Sequence, residues 1–93
     1  MPRDENGRVP VSQFFGIVIS MYQTDHAPPH FHAGYEAHEA LIAIDTLDFI
    51  EGWLPKRAHA LVLEWAAQHR ADLRANWDRA RQGLPMERVV PLE

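Results

Sequence analysis

Residues 12–23 read SQFFGIVISMYQ, and residues 24–35 continue TDHAPPHFHAGY. The first block is β-branched and aromatic, and it places Phe15, Ile17, Ile19 and Met21 on one face with Phe14, Val18 and Tyr22 on the other. Apolar residues on both faces predict one central strand from Ser12 to Gln23. Pro28 and Pro29 then remove two backbone donors and fix φ, so the strand must end in a turn. HFHAGY alternates with period two and predicts a second strand. EALIAI predicts a third and FIEGW a fourth, with Asp45-Thr46-Leu47-Asp48 as the hairpin turn between those two.

Beyond Leu54-Pro55 the apolar period changes to that of a helix. Pro55 suits a first turn, while Gly83 and Pro85 close the other end. The spacing predicts one helix from about Pro55 to about Gln82, roughly 40 Å long; a break has room near Gln68–Ala71, but the apolar stripe stays in phase across it. MERVVPL at residues 86–92 reads as a terminal edge strand, since Pro91 bars a central position. Residues 1–11 read as a flexible tail and residues 12–93 as a single domain. The fold class expected is α+β, a small antiparallel sheet of three to five strands packed on one long C-terminal helix.

The totals agree with that size of domain. In 93 residues, a 46% hydrophobic fraction with three Trp supplies one small core. With no cysteine, disulfide scaffolds and thiolate metal sites are excluded. The first residues lack the basic-then-apolar design of a signal peptide. The longest apolar run, FFGIVI, is far short of the roughly 20 residues that span a bilayer. A soluble cytoplasmic protein with no membrane partner is expected. A net charge of −4 argues against coating nucleic acid by bulk electrostatics and leaves room for a local basic strip.

Such a strip exists on the helix. Lys56, Arg70, Arg74 and Arg81 align along one edge of the apolar stripe, with Arg57, His59 and Trp77 beside them. They form either a solvated helix edge, with Arg74 paired to Asp78, or a surface for phosphates, RNA or an acidic partner. The stripe itself carries Ala58, Val62, Trp65, Leu73 and Ala80, but also His69 and Asn76. A polar group there needs a hydrogen-bond partner. His69 either bonds a structural carbonyl or faces the histidine strand and joins its site.

Four of the six histidines fall between Asp25 and His38. In a strand His30 and His32 point together, and Glu36 follows on the same side if the strand continues. Three readings stay open. Asp25, His26 and the prolines build a rigid turn whose imidazoles bond loop carbonyls. Alternatively His30, His32 and Glu36 ligate a divalent metal. In the third, His26, His30, His32 and His69 share metal-free acid and base roles on RNA, with Arg57, Arg70 or Arg74 stabilising the transition state.

The D-H-x-P-P-H-x-H core at Asp25, His26, Pro28, Pro29, His30 and His32, with H-R-x-x-L-x-x-x-W at His69, Arg70, Leu73 and Trp77, resembles the small bacterial proteins of domain-of-unknown-function family 4160. The resemblance runs from about Ser12 to Leu92. It implies a gene beside that of a second short protein, in an arrangement like a toxin–antitoxin pair. On that basis the chain is expected to be a toxin-like or regulatory component acting on RNA or translation. The alternatives are a non-enzymatic partner-binding or transcription-regulating module, and a small His-ligated metalloprotein.

Overall fold

Phe15 and Gly16 both sit in the left-handed region, at φ 49° and 79°. A pair of positive φ values is what a tight two-residue hairpin demands, and Gly16 meets that demand without a Cβ clash. The single strand expected over Ser12–Gln23 is therefore two strands folded on each other. The computed structural model describes residues 7–93, with β1 at Arg8–Phe14 and β2 at Ile17–Tyr22. Apolar residues on both faces marked the two arms of a hairpin here. The residue that turns the corner, Phe15, is exposed.

Three further strands follow, β3 at His30–Tyr35, β4 at His38–Ala43 and β5 at Phe49–Gly52. All pair antiparallel with their sequence neighbours, in the order β1-β2-β3-β4-β5. The hairpin over residues 44–48 is closed by Leu47 N–H donating to the Ala43 carbonyl at 2.8 Å and Ala43 N–H to the Asp48 carbonyl at 2.9 Å. Gly52, at φ 81°, lies so close to β4 that a Cβ there would overlap the Glu39 carbonyl oxygen. Of the tail expected over residues 1–11, residues 1–6 lie outside those described, and Arg8–Val11 belong to β1.

The predicted single helix is two, α1 at Lys56–Gln68 and α2 at Arg70–Arg81, broken at His69 with φ −125° and ψ 25°. A straight helix of roughly 40 Å would outrun a molecule whose longest extent is 34 Å. The break bends the rod so that both halves reach the sheet. Val62 and Trp65 from α1 and Leu73 and Trp77 from α2 join the core with Ile19 and Phe31 of the sheet. Trp65 packs edge-on to Phe31 with ring centres 5.9 Å apart.

Alternation along the strands then separates two faces. Ile17, Ile19 and Met21 of β2 and Phe31 and Ala33 of β3 point to the helices and are buried. Val18, Ser20, Tyr22, His32 and Gly34 point the other way and line a concave surface that neither helix covers.

The terminal edge strand expected at residues 86–92 does not form; the segment is irregular. It is pinned by Val89 N–H to the Val11 carbonyl at 2.8 Å and by Trp65 Nε1–H to the Val90 carbonyl at 2.8 Å. Val11 is the extra residue of a bulge between the pairs Pro10↔Ser20 and Ser12↔Ile19. Pro10 and that bulge interrupt the free side of β1, which limits the segment to a single ladder-like bond. Among the described residues, no helix is long and apolar enough to cross a membrane.

Candidate metal centre

The Pro-Pro loop between β2 and β3 folds back over the start of β3. Pro29 contributes its carbonyl to Ile44 N–H at 3.0 Å, which anchors the loop to the end of β4. The Pro28 carbonyl accepts from His30 Nδ1–H at 2.8 Å. A carbonyl can only accept, so in the neutral ring this contact puts the proton on Nδ1 and leaves the lone pair on Nε2, whereas the imidazolium carries a proton on both. His30 lies on the side of β3 away from the helices, yet it is only 5% exposed. The folded-back loop and Trp77 of α2, whose ring centre is 5.5 Å from that of His30, cover it.

Three side chains converge there. Asp25 Oδ2 lies 3.1 Å from His30 Nε2 and 3.0 Å from His32 Nε2. The three atoms sit within 4.8 Å of one another. His32 is held between two carboxylates, its Nδ1 hydrogen-bonded to Glu39 Oε2 at 3.0 Å on the far side of the ring and its Nε2 to Asp25 Oδ2 at 3.0 Å, and Tyr22 packs on that ring with centres 4.5 Å apart. His30 Nε2 is buried, and although Asp25 is within ion-pair distance, its angle to that oxygen is not that of a hydrogen bond. A buried ring nitrogen without a hydrogen-bond partner thus lies beside a second imidazole nitrogen and a carboxylate oxygen.

This arrangement revises the expected ligand set. Glu36 is not part of it: β3 ends at Tyr35, and Glu36 turns the β3–β4 hairpin at φ 53° and is exposed. Asp25 takes its place. Its Asp-His-x-Pro-Pro motif was visible in the sequence, but only as a turn. Nothing in a linear spacing says that the turn brings the carboxylate back over His30. Glu39, also missed, belongs to β4, where register rather than spacing sets it beside His32.

The other candidates scatter. His26 is exposed and lines a cleft beside the cluster, together with Tyr22, Thr24, Asp25 and His32. His69 stands apart at the helix junction, donating from Nδ1 to Asp72 at 3.1 Å with its ring on Trp65. Asn76 has the structural role, its amide bonding both the N–H and the carbonyl of Glu87 at 2.8 Å. Lys56 and Arg57 are exposed at the start of α1. Arg70 donates to the Ile44 carbonyl at 3.1 Å and Arg74 pairs with Asp45 at 2.7 Å. Arg81 reaches the cluster's own loop, with Nη1 3.5 Å from the Asp25 carbonyl and its guanidinium 5.5 Å from the Trp77 ring centre. Of the basic edge of α2, Arg81 therefore meets the histidine turn, while Arg70 and Arg74 are held at the β4–β5 turn.

A five-stranded antiparallel meander backed by two helices, with a histidine–carboxylate cluster at the start of its third strand, defines a small α+β domain. Residues 16–78 match the model of a domain of unknown function, DUF4160, and the chain belongs to that family. No curated protein and no solved structure matches it.

Proposed function

We propose that the protein is a small metalloprotein that holds a divalent first-row metal through Asp25 Oδ2, His30 Nε2 and His32 Nε2. The observation that carries this reading is the buried, unpartnered Nε2 of His30. In the neutral ring, with its proton held on Nδ1 by Pro28, this nitrogen has only a lone pair to offer, and the nearest polar atom is a carboxylate oxygen that also only accepts. A metal ion between them satisfies both; a second ring proton would do so only through a hydrogen bond, and the angle to Asp25 Oδ2 is not that of one, which leaves a buried polar atom without a partner at a cost of about 1–3 kcal/mol. Two imidazoles and one carboxylate suit zinc, manganese, iron, cobalt or nickel. Three protein ligands with a position left over is the pattern of a reactive centre rather than a closed structural one.

The same geometry disfavours metal-free acid–base work by the histidine pair. A general base needs a nitrogen within reach of substrate. His30 has one nitrogen on Pro28 and the other buried, while both nitrogens of His32 face carboxylates.

Elemental analysis of tag-free protein loaded by dialysis tests the proposal. Near-stoichiometric metal is expected in the wild type and none in His30→Ala/His32→Ala. Wild-type protein that emerges metal-free from every one of the five ions sinks the reading.

A toxin-like action on RNA or translation is the second reading, together with a cytoplasmic location and a small partner protein. What supports it is the basic edge of α2, whose Trp77 and Arg81 lie beside the histidine turn. A ribonuclease assay of the metal-loaded protein, with and without chelator, checks it: metal-dependent cleavage favours it, and intact RNA under both conditions counts against it.

A further inference from the structure

Resting on that metal reading, we infer that the cleft beside Asp25 and His32 is the binding site of a small oxyanion, a phosphate ester or carboxylate, that meets the metal on its open side and is held there by His26.

The three ligands do not surround the ion position evenly. His30 forms a buried floor and takes no part in lining the cleft, whereas Asp25 and His32 form part of its wall. An ion held by the three would therefore adjoin the cleft through Asp25 and His32, with His30 on its buried side. That cleft has a volume of about 320 Å3. Small-molecule sites run from roughly 300 to 1,000 Å3, so this one is sized for a compact ligand.

Charge selects the ligand's sign. Among the described residues, Asp25 is the one acidic side chain that lines the cleft. A divalent ion would outweigh the single negative charge of Asp25 on the cleft side, the second carboxylate, Glu39, lying on the far side of the His32 ring. Arg81 adds a cation at the same loop, 3.5 Å from the Asp25 carbonyl and so at the outer limit of a hydrogen bond. His26 carries an imidazole N–H donor in either tautomer, on the exposed rim of the cleft. A cation at the floor and an N–H donor on the rim fit an anion with two or more oxygens, one for each.

The test uses full-length protein loaded with cobalt(II), whose visible spectrum reports ligand exchange at the metal. Inorganic phosphate and acetate are titrated separately, with glycerol as the neutral control. A saturable spectral change with phosphate, acetate or both, and none with glycerol, is expected. Saturation by phosphate alone assigns the ligand as a phosphate ester, and saturation by acetate alone as a carboxylate. His26→Ala is expected to weaken that anion binding by about tenfold, the loss of one charge-assisted hydrogen bond, with cobalt affinity unchanged. Cobalt that binds normally but ignores both anions overturns the inference and leaves the metal reading standing. An unaltered anion affinity in His26→Ala, or a loss of cobalt in that variant, overturns the role assigned to His26. Failure to bind cobalt at all overturns both the metal reading and this inference.

Discussion

Glu39 lies outside the three-residue cluster, yet its carboxylate holds the far side of the His32 ring. Hydrogen-bonded to Nδ1 at 3.0 Å, it keeps Nε2 turned toward Asp25, the role that partners of metal-bound imidazoles usually take. Glu39→Gln should weaken metal affinity by about 10- to 100-fold while leaving the melting curve of the metal-free protein in place; competition against a chromophoric chelator would measure it. Asn76 offers the contrasting case, a polar residue on an apolar stripe with no part in the site. Its amide holds both backbone groups of Glu87, so Asn76→Leu should cost about 1–3 kcal/mol in urea unfolding and leave metal affinity unchanged. From the sequence the two helix residues looked alike, because helical periodicity identifies a polar residue in the stripe without naming its partner. The partner of Asn76 lies in an irregular segment after the helix, and that of His69 lies on its own helix, at Asp72.

Elements were more legible than their boundaries. Period-two alternation located β3 at HFHAGY to the residue, and the Asp45–Asp48 turn separated β4 from β5 as the composition implied. The hairpin between β1 and β2 was missed because a turn made by Phe15 and Gly16 lacks the polar residues that usually mark one. A helix break had room near Gln68–Ala71 but a single helix was favoured, because His69 is neither Gly nor Pro and the apolar stripe stays in phase across it. Tertiary contacts set the bend, with Trp65 fixed by Val90 on one side and Arg70 by Ile44 on the other. Arg74–Asp45 belongs to the same seam but is largely solvent-exposed on both sides. Arg74→Ala should therefore cost less than about 1 kcal/mol, a difference that fades in high salt. A denaturation series at two ionic strengths checks it.

The molecule as a whole is a sheet with one face sealed by helices and the other left open, and the cluster sits at the edge of the open face where a loop folds over it. The sequence pointed to the segment and to two of the three members of the cluster, because strand alternation puts His30 and His32 on one side. It could not supply the third, which depends on how a proline loop returns. If the site is occupied in the native state, metal binding adds to folding stability: at a free-ion concentration of about 100 times the dissociation constant the gain is about 2.7 kcal/mol. Adding zinc to chelator-treated protein should therefore raise its melting temperature in calorimetry, and the His30→Ala/His32→Ala protein should show no such rise.

Gly52 ties the far edge of this sheet to the centre. Because its backbone presses on the carbonyl of Glu39 at φ 81°, any side chain there must push β4 away, and Glu39 carries that displacement to His32. In a saturation library selected only for metal uptake, position 52 should accordingly come back as glycine, an invariant letter written by a strand that no ligand ever meets.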